Sequence, residues 1–174
     1  MNIKNYLKPV LVLAIICLVT SCILAVTNQK TAPVIEAAAN AKVETLRKEV
    51  LPQADSFKQL TLDGLPGTVT GVYKADNGTG YVFTLTTKGY GGDMSLICGM
   101  DQDGKITACQ TLSQQETQGL GSRTTLPAFR DQFQGKDSSL EGVDTISGAT
   151  ISSTAYIKAI KDAFTAYGLA KEAA

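Results

Sequence analysis

The 174-residue chain sets 16 basic against 16 acidic side chains, is 44% hydrophobic, and contains neither histidine nor tryptophan. Lacking histidine, it can form no Ser-His-Asp or Cys-His nucleophile pair, no His-bearing zinc site and no His-ligated haem. Zero net charge without a basic cluster excludes the electrostatic footprint of a nucleic-acid binder, and the length suits one domain plus an appendage.

Lys4 and Lys8 precede an uncharged run of 18 residues from Pro9 to Val26. That run reaches the lower length for crossing a hydrocarbon core of about 30 Å and predicts one transmembrane helix over residues 9–28. The lysines on its N-terminal side place residues 1–8 in the cytoplasm and all that follows on the far side of the inner membrane. Every acidic residue lies from Glu36 onward, and residues 31–174 carry 13 basic against 16 acidic groups, so the exported part is mildly acidic. A rival reading is a processed leader, because Val19-Thr20-Ser21-Cys22 resembles a bacterial lipoprotein processing site with Cys22 as the lipidated residue. Ile23-Leu24-Ala25-Val26 carries the apolar run past that point and favours an uncleaved anchor. Both readings export the domain.

Residues 29–52 read as a juxtamembrane helix. Ile35, Ala39, Val43, Leu46 and Val50 recur at helical spacing, Pro33 suits a first turn and Pro52 a stop. The domain proper, residues 53–174, begins with a hairpin whose strands, 68–74 and 80–86, flank Asp76-Asn77-Gly78. A second hairpin pairs 94–100 with 105–112 across Asp103-Gly104. If those two residues form the whole turn, Cys98 falls opposite Cys109 and a disulfide is open to them; a four-residue loop removes the pairing. Thr124 or Thr125 could cap a short helix over 127–134 that Gly135 ends, and a long helix follows over 152–167 with Gly168 at its C′ position. The fold class is α+β: an N-terminal transmembrane helix, then one domain of antiparallel strands with flanking helices.

Chemistry concentrates just before the last helix. Asp144 to Thr154 holds six hydroxyl side chains and Gly148 where a loop becomes a helix N-terminus. Such a terminus offers unpaired N–H groups and the positive end of a dipole, which seat an anion such as a phosphate. Ser and Thr also cap helices with no ligand at all, and the residue types alone leave both readings open.

Asp144-x-x-Ser147-Gly148-Ala149-Thr150 resembles the flavinylation motif of the FMN-binding domain family. That resemblance implies FMN joined by its phosphate to the Thr150 hydroxyl, with Ser147, Gly148, Ala149 and Ser152 or the helix N–H groups around the phosphate. Asp144 would then belong to the signal read by a flavin transferase of the ApbE type. Lys88-Gly89-Tyr90-Gly91-Gly92, followed by Glu116-Thr117-Gln118-Gly119-Leu120-Gly121, is similar to the motif order in the G subunits of Rnf electron-transport complexes. The C subunits of sodium-pumping NADH:quinone reductases show a related order. The family usually has Glu-Thr-Pro-Gly-Leu-Gly, so Gln118 in place of proline leaves this loop more mobile. The likeness implies that Glu116, Thr117, Gly119 and Leu120 border the isoalloxazine, Leu120 against its face. Tyr90 could stack on the flavin or be an ordinary surface or core residue.

The implied function is electron transfer by covalently held FMN in a membrane complex that couples ferredoxin and NAD to ion translocation. Other membrane and iron–sulfur subunits would be its partners, and the chain would not be catalytic alone. Cys98 and Cys109 are too few to ligate an iron–sulfur cluster. The alternatives are an anchored or lipidated flavoprotein shuttle outside any complex and a non-redox binding module.

Overall fold

The computed structural model describes residues 4–173. Part of the expected cytoplasmic segment 1–8, its first three residues, lies outside the described residues. The chain divides into two units, Met1–Lys42 and Val43–Ala174.

Helix α1 (Lys4–Val50) is continuous over 47 residues. A separate helix beginning at Pro33 is therefore not what forms: Pro33 lies inside α1, where its missing N–H removes the bond to the Gln29 carbonyl. Flanking bonds persist, and the Thr31 hydroxyl donates to the Thr27 carbonyl at 2.9 Å. In the first unit α1 is long and apolar enough to cross a membrane, with its large aliphatic side chains exposed. Thr20 and Thr27 donate their hydroxyls to the Ile16 and Ile23 carbonyls, each at 2.9 Å. No polar hydrogen on those side chains is left to face hydrocarbon.

The second unit is built on five antiparallel strands in sequential order: β1 (Phe57–Leu60), β2 (Val69–Ala75), β3 (Gly80–Lys88), β4 (Asp93–Asp101) and β5 (Ile106–Ser113). The two expected hairpins form, and Gly78 takes the left-handed φ of +73° that its turn requires. Strand β1 is an addition to the expected set. Its four residues, Phe-Lys-Gln-Leu, are half-buried at the ends and exposed between, too short to show an alternating pattern.

The turn between β4 and β5 is a three-residue loop, neither the two-residue turn nor the four-residue loop that the sequence left open. The Asp101 N–H donates to the Lys105 carbonyl at 2.9 Å, and Gly104 sits at φ +76° in the left-handed position of such loops. A bulge between Gly99 and Met100 then shifts the register by one, so Cys98 still falls opposite Cys109. Both are buried free thiols with sulfurs 3.4 Å apart.

Helix α3 (Thr150–Glu172) covers one sheet face. Ala159, Ala163, Ala166 and Ala170 are fully buried there with Tyr156 and Ile160, over Phe83, Leu85, Leu96 and Met100. Small side chains at this spacing let the helix axis approach the sheet, and Tyr156 fills the space toward its N-terminal end. Phe129 and Phe133 pack on that ring at centroid distances of 5.3 and 5.4 Å. The opposite sheet face is closed by Val50, Leu51 and Ala54 against Ala75, Val82 and Ile97.

Three boundary expectations are corrected. Helix α3 starts at Thr150, two residues earlier than expected, and runs through Gly168, which is therefore not its C′ residue. The buried Ala166 and Ala170 continue the packed face past that glycine. The short helix α2 (Pro127–Arg130), followed by a 3-10 turn over Asp131–Phe133, is not capped by Thr124 or Thr125. Those hydroxyls turn back to the Gly121 and Ser122 carbonyls at 2.8 Å each, inside a preceding 3-10 turn, and Leu126 takes the cap position.

Candidate functional site

The approach to α3 is a tight turn. The Ala149 N–H donates to the Ile146 carbonyl at 2.9 Å, and Gly148 holds φ +81° at the third position, a conformation that L side chains resist. Ser153, one turn into the helix, fastens it: its hydroxyl donates to the Ala149 carbonyl at 2.8 Å and accepts the Ile146 N–H at 3.2 Å. Thr150 consequently stands exposed as the first residue of α3. The N-cap is Ala149, with no side-chain cap bond. The hydroxyl-rich stretch does not cap its own helix, and the first N–H groups and the dipole's positive end stay available to an anion.

Facing this terminus is the loop after β5. The Leu120 N–H closes a turn onto the Thr117 carbonyl at 3.1 Å, with Gly119 at φ +77°. Glu116, 9% exposed, connects three segments. Its Oε2 accepts the Ser152 hydroxyl at 2.5 Å, and its Oε1 accepts the Gly91 N–H at 3.1 Å in the turn between β3 and β4. A Cβ at Gly89 would fall 2.0 Å from Oε1, and one at Gly121 2.1 Å from Oε2. Glycines there make room for the carboxylate.

Between these segments lies a cleft of about 420 Å³, lined by Tyr90, Glu116, Thr117, Leu120, Gly121 and residues 148–152. Small-molecule sites commonly span about 300–1,000 Å³. Tyr90, Leu120 and Ile151 are 73%, 48% and 58% exposed, so three large apolar side chains stand at the cleft without burying one another. A flat aromatic ring could cover them, while Thr150 and the α3 terminus receive a phosphate. The residues fit FMN on both counts.

Eight of the residues singled out in the sequence line this cleft: Thr150, Gly148, Ala149, Ser152, Glu116, Thr117, Leu120 and Tyr90. Asp144 and Ser147 instead line a neighbouring depression with Arg123 and Gln132, where the Asp144 N–H donates to Gln132 Oε1 at 2.9 Å. Gly119 lines neither. The Ser152 hydroxyl is buried and engaged by Glu116, so it is not directed at a phosphate as expected. Gly121 and Ile151 were missed; the only signal for Gly121 was the second glycine of Gly-Leu-Gly, and Ile151 had none beyond adjacency to Thr150.

Residues 89–165 match the FMN-binding domain family, and residues 1–50 match the RnfG N-terminal region. The chain is 34% identical to the G subunit of an ion-translocating oxidoreductase complex from Methanosarcina acetivorans, covering 92% of this chain and 93% of that protein. It is also 34% identical to the G subunit of the Na(+)-translocating ferredoxin:NAD(+) oxidoreductase complex of Acetobacterium woodii, covering 90% and 82%. A solved structure, the C subunit of a Na(+)-translocating NADH-quinone reductase from Parabacteroides distasonis, shares 26% identity over 57% of this chain and 60% of that one, at a TM-score of 0.47.

Proposed function

The chain belongs to the G-subunit family of ion-translocating oxidoreductase complexes, electron-transfer flavoproteins with an FMN-binding domain, and we propose that its FMN is held by a phosphoester to Thr150. The carrying observation is the cleft itself, which sets an exposed, uncapped Thr150 beside Leu120 and Tyr90. FMN supplies the one- and two-electron chemistry; the residues fix and shield it. The Thr150 hydroxyl is the attachment point, the first N–H groups of α3 receive the remaining phosphate oxygens, and Leu120 covers a ring face. Asp144, exposed beside the turn, is available to an ApbE-type flavin transferase rather than to the ring. A covalent link prevents loss of the cofactor by dilution where the domain faces an outside compartment.

Residues 1–8 lie in the cytoplasm in this reading, α1 crosses the inner membrane, and the domain works outside it. Electrons pass between ferredoxin and NAD through partner iron–sulfur and membrane subunits, with this flavin as one relay. The test is purification of the affinity-tagged full chain from native membranes in mild detergent. Copurification of iron–sulfur and polytopic subunits is expected. A flavin-bearing chain that comes through alone, at native expression, would contradict membership of a complex and favour a separate shuttle.

A further inference from the structure

We propose that Glu116 is a positioning residue that ties the three walls of the cleft together and, as a fixed anion beside the ring, lowers the reduction potential of the bound FMN. This rests on the reading that the cleft holds FMN. Glu116 is the one acidic side chain lining the cleft among the described residues. It is nearly buried, yet no Lys or Arg among the described residues lines the cleft beside it. Its oxygens are satisfied instead by two neutral donors, the Ser152 hydroxyl at 2.5 Å and the Gly91 N–H at 3.1 Å.

Those bonds have two consequences. First, they join segments far apart in sequence: the turn after β3, the loop after β5 and the first turn of α3. The chain accommodates the carboxylate at Gly89 and Gly121, where any Cβ would collide with it. The spacing between Leu120 on the loop and Thr150 on the helix is thereby held from behind by one side chain. Second, neutral donors fix the carboxylate without cancelling its charge. In a partly dry cleft, an added electron on the ring meets that charge at reduced screening, so the reduced flavin is disfavoured.

The experiment uses the full chain coexpressed with a flavin transferase, as wild type, Glu116→Gln, Glu116→Ala and Ser152→Ala. Glutamine keeps an acceptor for Ser152 and removes the charge. Glu116→Gln is expected to retain FMN and to shift its reduction equilibrium about tenfold toward the reduced form in a potentiometric titration, the scale of one nearby charge at intermediate dielectric. Ser152→Ala keeps the charge and is expected to move the potential less. On flavin-free protein, Glu116→Ala is expected to quicken hydrogen exchange at the Gly91 amide, which loses its acceptor, and at the Ser153 amide, which bonds the Ala149 carbonyl in the first turn of α3. An unshifted potential in a flavin-loaded Glu116→Gln, or a Glu116→Gln that loads no flavin, overturns the electrostatic role; unchanged exchange in Glu116→Ala overturns the tie. Absence of FMN from the wild type instead sinks the flavin reading, and the exchange comparison still decides the tie.

Discussion

Two glycines show how individual residues shape the site. Gly148 sits at φ +81° with no atom closer than 3.8 Å to a built Cβ, so its requirement is conformational. Gly148→Ala is expected to cost about 1–2 kcal/mol, the left-handed penalty for an L residue, and to lower the melting temperature by roughly 2–8 °C. Flavin loading should fall with it, since the turn aims Thr150; a melt and a flavin absorbance ratio check both. Gly121 is steric instead, its Cβ falling 2.1 Å from Glu116 Oε2 and 2.7 Å from Ser152 Oγ. The motif around Thr150 was legible because its residues are consecutive. The Glu116–Ser152 bond was not, because it spans 36 positions and depends on how α3 meets the loop. The roles of Ser152 and Ser153 were hidden likewise, since a hydroxyl's partner is set by the folded turn and not by composition.

Among the elements, α3 and the sheet beneath it carry the stability. Phe133 is fully buried against Phe129 and Tyr156, and Phe133→Ala should cost about 3–5 kcal/mol, read as a drop in the denaturation midpoint with an unchanged slope. The same core buries two acidic groups in neutral form. Burial first, then the hydrogen bond with Cys98, pushes the Cys109 thiol well above its ordinary value of 9.0, and burial pushes the Tyr156 phenol well above 10.0. Unfolded chains release these protons at the ordinary values and the folded chain holds them, so stability is intact at neutral pH and declines as pH rises from about 9. Melts at neutral pH and above the thiol range should show that fall, smaller in Cys109→Ala relative to its own neutral value; an equal fall in the variant would contradict it. Long periodic elements and turn glycines were readable in advance. Strand β1 and the passage of α3 through Gly168 were not, because short edge strands borrow their stability from a neighbour and packed alanines override a helix-stopping signal.

For the whole molecule, the division at residue 42 separates an apolar helix long enough to cross a membrane from a folded unit. A chain beginning at Val43 is expected to be recovered in the aqueous fraction, to fold cooperatively and to accept flavin from the transferase, whereas the full chain should stay with membranes after alkaline carbonate extraction. Aggregation of the truncated chain would show that the span is needed for folding. The apolar run was the plainest signal in the sequence, and the continuity of α1 across Pro33 the least, because a proline inside a long helix costs one bond without ending it. The most direct test of a flavin on Thr150 is peptide mapping of the full chain coexpressed with a flavin transferase. Trypsin should release residues 137–158, which contain Thr150, as one peptide. The account predicts that this peptide carries the mass of FMN less water, localised by fragmentation to Thr150, and that Thr150→Ala carries none. An unmodified wild-type peptide beside a flavinylated control substrate, or flavin retained covalently in Thr150→Ala, would contradict it.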